Sequence, residues 1–279
     1  MGIIILTDEN RIATQGHNSR GNQLKFKKDN IWYKTDSLGY EGLSEYIVSY
    51  FLQRSNIENF VMYEYQQISY NGQIYNGCKS ENFLPCGFEI VTADKLFHKE
   101  LGKSVHEVCN NGNISNFILS YVETAAKLTG LSMDNIGKNL TSILELDALF
   151  LNDDRHFNNL AFLWNGDRFF ECPIFDNGAA LLSDKMNNYS LSYDMYGEVS
   201  DLVRRGKARP FSEDFEEQRN AAISLFGSQL EIYTKSNTLP IPKNTIYDEE
   251  TINRARRVLE FQIEKNMEYF PNIEFYEKS

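Results

Sequence analysis

The sequence predicts an α+β protein in two parts, β-rich to about residue 110 and helical beyond it. Three observations carry this reading. The early segments are short, alternate in polarity and are broken by Gly, Asn and Asp, as antiparallel strands are. From about Asn110 apolar residues recur at three- and four-residue spacing, the period of a helix. Between later apolar runs sits a polar stretch, Asn152-Asp153-Asp154-Arg155-His156-Phe157-Asn158-Asn159, followed across a hairpin by Pro173-Ile174-Phe175-Asp176-Asn177-Gly178. Buried elements on both sides hold such a junction rigid and let it aim several side chains at one point.

Ile3 to Leu6 reads as an opening strand. A polar loop follows, Gly16 to Asn22, and then a hairpin of Gln23–Lys27 and Ile31–Lys34 around Lys28-Asp29-Asn30. A glycine loop lets backbone amides approach phosphates closely, although a plain hairpin end looks the same. Glu41 to Leu52 is helical in pattern, with Leu43, Tyr46, Ile47, Tyr50 and Phe51 on one face. Asn59–Ser69 and Gln73–Cys78 read as strands joined at Asn71-Gly72. Phe88 to Cys109 has a mixed pattern. Ile114, Phe117, Ile118, Tyr121, Val122, Ala125 and Leu128 form an apolar stripe ending at Gly130. Ile136, Leu140, Ile143, Leu144 and the run Ala148–Leu151 form another; both read as core. Leu160–Trp164 and Arg168–Cys172 make a hairpin turned at Asn165-Gly166-Asp167. Gly178 to Ser200 holds Tyr189, Tyr193 and Tyr196 and little periodicity. Ser212 is the expected N-cap of a helix from about Glu213 to Phe226, and Asp248 that of a last helix to about Phe270.

The 279 residues suit one two-lobed unit or two small domains, and 42% hydrophobic with 13% aromatic content supports a packed core. A net charge of −11 argues against holding nucleic acid and against steady membrane contact, both of which want a basic surface. One local basic run stands out, Arg204-Arg205-Gly206-Lys207-Ala208-Arg209. The four cysteines, Cys78, Cys86, Cys109 and Cys172, form no CxxC pair, which speaks against zinc and for reduced core residues of a cytoplasmic protein. The apolar start, Ile3 to Leu6, is too short for a signal peptide or membrane span.

The polar stretch has the types that phosphate transfer needs. Asp154 and Asn159 have the spacing of a kinase catalytic loop, and Asp176 stands before Asn177-Gly178 where kinases place a metal-binding Asp. Transfer from ATP asks for positioning and for neutralised phosphate charge, and magnesium takes oxygen ligands. Asp154 is the expected acceptor of the hydroxyl proton, and Asn159 and Asp176 the expected metal ligands. Turn-making alone explains any one of these residues, but not a DxHxxN followed by FDxG across a hairpin. No second His stands at metal-ligand spacing from His156, so a loop-shaping role or a nucleotide contact is expected of it. Lys34, closing a strand, and Glu45, in the next helix, fit the kinase pair that holds the α- and β-phosphates. Their plain alternatives are a solvated strand end and an exposed helix residue.

DRHFNN and PIFDNG resemble the catalytic motifs of the HipA-like kinases, the serine/threonine kinase toxins of bacterial toxin–antitoxin pairs; DRHxxN also occurs in phosphatidylinositol kinases. The resemblance runs from about Gly16 to the C-terminus. It implies a two-lobed protein-kinase-like fold, with a β-rich N-lobe over 1–110 and a helical C-lobe over 111–279. It implies ATP and Mg2+ as cofactors, a protein Ser or Thr as acceptor, and an antitoxin partner. The family's loop resembles S-x-x-G-x-Q-x-K. Gly21, Gln23 and Lys25 match it, but Asn18 stands where the Ser belongs, which puts silencing by phosphorylation of that Ser in doubt. The family's hinge resembles E-x-F, giving adenine contacts to the Glu81 backbone and Phe83, against the alternative of an ordinary loop. Two other functions share these motifs: a lipid or small-molecule kinase of the same fold, and a pseudokinase or nucleotide-binding interaction module.

Overall fold

The computed structural model describes residues 2–12, 23–110, 112–191, 198–233 and 246–271. In chain order its elements are β1 (Ile4–Ile5), β2 (Lys25–Lys28), β3 (Ile31–Thr35), α1 (Glu41–Leu52), β4 (Glu64–Tyr65), β5 (Ile68–Tyr70), β6 (Gln73–Tyr75), β7 (Gly77–Glu81), β8 (Glu89–Thr92), α2 (Ala93–Leu101), α3 (Val105–Cys109), α4 (Ile114–Thr129), α5 (Met133–Phe150), β9 (Ala161–Trp164), β10 (Phe169–Glu171), α6 (Val199–Val203), α7 (Phe215–Phe226) and α8 (Glu249–Lys265). They form two compact units. One comprises Met1–Asn82, Asp176–Gly206 and Glu231–Ser279, and the other Phe83–Phe175 and Lys207–Leu230.

The first unit contains an antiparallel sheet in the order β2-β3-β7-β4. Its β2–β3 hairpin is the one expected, with Asp29 in the left-handed region (φ 55°) at the turn. A second sheet has the order β1-β5-β6, with β1 parallel to β5. Leu6, Phe26, Tyr33, Ile68 and Tyr70 form one apolar cluster. The strands expected over Asn59–Ser69 and Gln73–Cys78 are each interrupted. At Asn76 the chain leaves one sheet for the other, and the Asn76 carbonyl accepts from the Asp36 N–H at 2.6 Å.

Helix α1 lies against β7 through two glycines. A Cβ on Gly42 would stand 2.6 Å from the Gly77 carbonyl oxygen, and one on Gly77 would run into the Lys34 carbonyl. A larger residue at 42 would push α1 off β7, and one at 77 would push β7 off β3, the strand that bears Lys34. In the same unit, the Asp248 side chain caps α8 as expected, accepting from the Thr251 N–H at 2.7 Å. The buried Arg254 of α8 donates to the carbonyls of Tyr189 and Ser190, each at 2.8 Å. Tyr189 is buried; Tyr193 and Tyr196 lie outside the described residues.

The second unit is built on α4, α5 and α7; the apolar stripes of α4 and α5 are buried as the periodicity predicts. Asn113 and Ser132 cap the first two, and Gly130 ends α4 in the left-handed region. The mixed pattern over Phe88–Cys109 resolves into β8, α2 and α3, each too short to establish a clear period. β8, β9 and β10 make an antiparallel sheet that contains the expected β9–β10 hairpin. One cap differs from expectation: Asp214, not Ser212, receives the first amides of α7, from Glu216 at 2.8 Å and Glu217 at 3.0 Å. A carboxylate there also complements the positive helix end. Cys78, Cys109 and Cys172 are buried while Cys86 is exposed. No described helix is long and apolar enough to cross a membrane.

Candidate active site

In the first unit, Lys34 projects from β3 between two carboxylates. Its Nζ donates to Glu45 Oε1 and to Asp176 Oδ1, both at 2.8 Å. The face of Tyr63 lies 5.1 Å from the same nitrogen, a cation–π contact. Burial pulls the Lys34 pKa down, but the charges of Asp176 and Glu45 more than offset it, so it stands well above its ordinary value. Burial, reinforced by the Asp176 charge and opposed by Lys34, pushes the Glu45 carboxyl up. Glu45 is nearly inaccessible to solvent, and its second oxygen accepts the Asn177 N–H at 2.8 Å. It therefore holds both the lysine and the backbone just after Asp176. Asp176 itself adopts a left-handed backbone (φ 62°), which costs about 1–3 kcal/mol for a non-glycine residue and persists only where surroundings enforce it.

In the second unit, the polar stretch 152–159 follows directly from α5. Leu151 ends that helix in the left-handed region (φ 55°) and turns the chain into the loop. Arg155 is fully buried and bidentate on Asp147 of α5: Nε donates to Oδ2 and Nη2 to Oδ1, each at 2.9 Å. Asn152 adds a third bond to Asp147, at 2.9 Å. Phe157 anchors the loop from the other side, its ring 5.4 Å from Phe211, 5.7 Å from Tyr121 and 6.1 Å from Phe117. The loop backbone is bonded to the start of α2, with the Ala93 N–H on the Leu160 carbonyl at 2.7 Å. Within it, Asn159 Nδ2 lies 3.5 Å from the Asp154 carbonyl. His156 Nδ1 is buried and finds no hydrogen-bond partner among the described residues.

Lys34, Glu45 and Asp176 are thus brought together in one unit, and Asp154, His156 and Asn159 on one loop of the other. Gln23 stands just before β2, half-buried; Gly21, with Asn18 of the loop signature, lies outside the described residues. Glu81 is the exposed last residue of β7, so the expected hinge begins inside a strand. Phe83 packs its ring 5.9 Å from Phe175. Tyr63 and Asp147 join these groups without a role expected from the sequence, and Phe157 proves to be an anchor of the loop rather than part of its chemistry. For Asp147 a signal was present, because an acid inside the apolar run Leu144–Leu151 needs a buried partner.

The fold is protein-kinase-like over nearly the whole chain. The structure is similar to the crystal structure of the Helicobacter pylori proinflammatory kinase CtkA, with a TM-score of 0.62 and 15% identity over 95% of this chain and 96% of that one. A weaker overlap is with HipA of Shewanella oneidensis MR-1, seen in complex with HipB and its operator DNA: TM-score 0.43 and 14% identity over 92% of this chain and 67% of that one. No protein-family model matches the sequence, and no curated protein matches it. The kinase-like fold expected from the motifs is thus met, while the chemistry rests on the residues.

Proposed function

We propose that this chain is an ATP- and magnesium-dependent kinase that passes the γ-phosphate to a protein Ser or Thr hydroxyl, with an N-lobe to about residue 110 and a C-lobe beyond. The observation that carries the reading is the Lys34 ammonium held between the Glu45 and Asp176 carboxylates. An ammonium has three donors. Two meet the carboxylates, and the third would bind a phosphate oxygen.

The donor set fits the metal. Asp176 offers a carboxylate and Asn159 an amide oxygen, both hard ligands. No group of three His, Cys, Asp or Glu among the described residues is placed to cage an ion. Magnesium held by one or two protein oxygens and completed by phosphate oxygens needs no such cage. When bound, it would supply neutralisation of phosphate charge. Asp154 would accept the acceptor's hydroxyl proton, Glu45 would orient Lys34, and Lys34 would bind the α- and β-phosphates. His156, with its unpartnered buried nitrogen, would touch the nucleotide, as would Gly21, Gln23, Phe83 and the Glu81 backbone. An antitoxin partner belongs to the same proposal, through the resemblance to toxin–antitoxin kinases.

The test is incubation of the purified protein with labelled ATP, Mg2+ and a cell lysate. Labelled protein bands support the reading. Label in lipid or small molecules moves the acceptor to those classes. Thermal stabilisation by ATP with no turnover makes the chain a nucleotide-binding pseudokinase.

A further inference from the structure

We infer that Asp147 and Arg155 are positioning residues that set the direction of the Asp176 carboxylate through the Phe175 carbonyl. This rests on the reading of Asp176 as a metal ligand. The third arm of the guanidinium, Nη1, donates to the Phe175 carbonyl oxygen at 2.9 Å. Arg155 therefore makes two bonds to the end of α5 and one to the residue before Asp176. A planar guanidinium held bidentately has little freedom left, so its third bond locates that carbonyl in space.

The pair is an odd choice for stability alone. Arg155 is 0% and Asp147 1% exposed. Burial drives the Asp147 carboxyl upward against the pull of Arg155. Apolar residues of similar volume commonly pack as stably as a buried ion pair. What apolar residues cannot do is bond a carbonyl. The carbonyl concerned belongs to the peptide that enters Asp176, whose φ of 62° is unfavourable. The peptide that leaves Asp176 is held by Glu45 at the Asn177 N–H. With both flanking peptides bonded to buried charged groups, the left-handed turn at Asp176 is enforced and its side chain takes one direction. Removing the Arg155 bond releases one of these two anchors.

The experiment uses the full chain and the apolar pair Asp147→Leu with Arg155→Met. Two readouts are taken. The first is amide hydrogen exchange over residues 174–178 without nucleotide, expected to speed up by about tenfold or more, as for loss of a local anchor. The second is the Mg2+ concentration that half-saturates phosphate transfer, expected to rise by about 10- to 100-fold, the usual range for a lost outer-shell partner, with the protein-substrate KM unchanged. Arg155→Lys, which keeps the charge but not the fork, is expected to show both changes and serves if the apolar pair does not fold. A folded variant with wild-type exchange at 174–178 overturns the inference, as does wild-type Mg2+ dependence. If the wild-type protein transfers no phosphate, the kinase reading fails by itself and the exchange measurement still decides whether Arg155 anchors this segment.

Discussion

Lys34 Nζ lies 2.8 Å from Asp176 Oδ1, although 142 residues of chain separate them. With Glu45 on its other side, one ammonium balances two carboxylates. Removing the lysine takes away the positive charge that Glu45 and Asp176 share. Lys34→Met is therefore expected to abolish phosphate transfer and to lower stability by about 2–3 kcal/mol, less than for a wholly buried pair because Asp176 is partly exposed. Adding Glu45→Gln removes one stranded charge. The double variant should regain part of that loss in a urea titration while staying inactive. A Lys34→Met protein as stable as wild type would show that the cluster is not coupled through charge.

Asp154 and Asp176 are assigned different work, so their variants should differ. Asp154→Asn is expected to lose phosphate transfer, with a rate drop of about 100-fold or more, while binding Mg2+–nucleotide as wild type does. Asp176→Asn is expected to lose both transfer and the Mg2+-dependent part of nucleotide affinity. Titration of a fluorescent ATP analogue with and without Mg2+ separates them. Equal Mg2+ dependence in wild type and Asp176→Asn would remove the metal assignment.

Asp36 sits after β3, its Oδ1 accepting the Gly42 N–H at 2.6 Å. Burial, with help from the Glu41 charge and against the Gly42 N–H, the Tyr247 hydroxyl and Lys185, raises its pKa from 3.8 to about 8. Between these values the folded protein keeps a proton that the unfolded chain has lost. This contribution to stability is therefore full below about pH 4 and lost as pH rises through about 8. Asp36→Asn keeps an oxygen for Gly42 and cannot ionise. Its Tm should match wild type in acid and exceed it increasingly toward pH 8. Parallel Tm profiles for the two proteins would disprove the shift.

Gly42→Ala tests the seat of α1. The added methyl meets Gly77 backbone, which has no side chain to move aside. A loss of about 1–3 kcal/mol is expected, as for other overpacked contacts, despite the better helix propensity of alanine. Because α1 carries Glu45, nucleotide affinity should fall with it. Gly72→Ala, where an added Cβ meets nothing, is the control for a glycine loss without a clash; its own φ of 77° still strains it, so only its nucleotide affinity should remain.

Much of this was legible from residue type and spacing. The β2–β3 hairpin follows from Asp29-Asn30 between alternating strands, and α4 and α5 from their stripes, with Gly130 ending α4. The order of Lys34 and Glu45 along the chain leads one to expect a pair, and their side chains are in contact, Nζ to Oε1 at 2.8 Å. Tyr63 was not legible, since nothing in an irregular stretch tells which aromatic face meets a lysine. Asp147 and Glu145 interrupt an apolar run, and each turns out to be buried with partners: Glu145 accepts from the Gln229 and Leu230 amides at 2.8 and 3.0 Å. The interruption signals that a partner exists, but only tertiary structure supplies its name. The cap at Asp214 was missed by two residues because Ser212 carries the same kind of oxygen.

The unit that carries Lys34, Glu45 and Asp176 is assembled from three separate stretches of chain, Met1–Asn82, Asp176–Gly206 and Glu231–Ser279. During synthesis, roughly the first 80 residues must wait for the Asp176–Gly206 and Glu231–Ser279 stretches before their unit can close, because a ribosome emits only about 5–20 residues per second. Lys34 would then lack its Asp176 partner while the intervening stretch of chain is made.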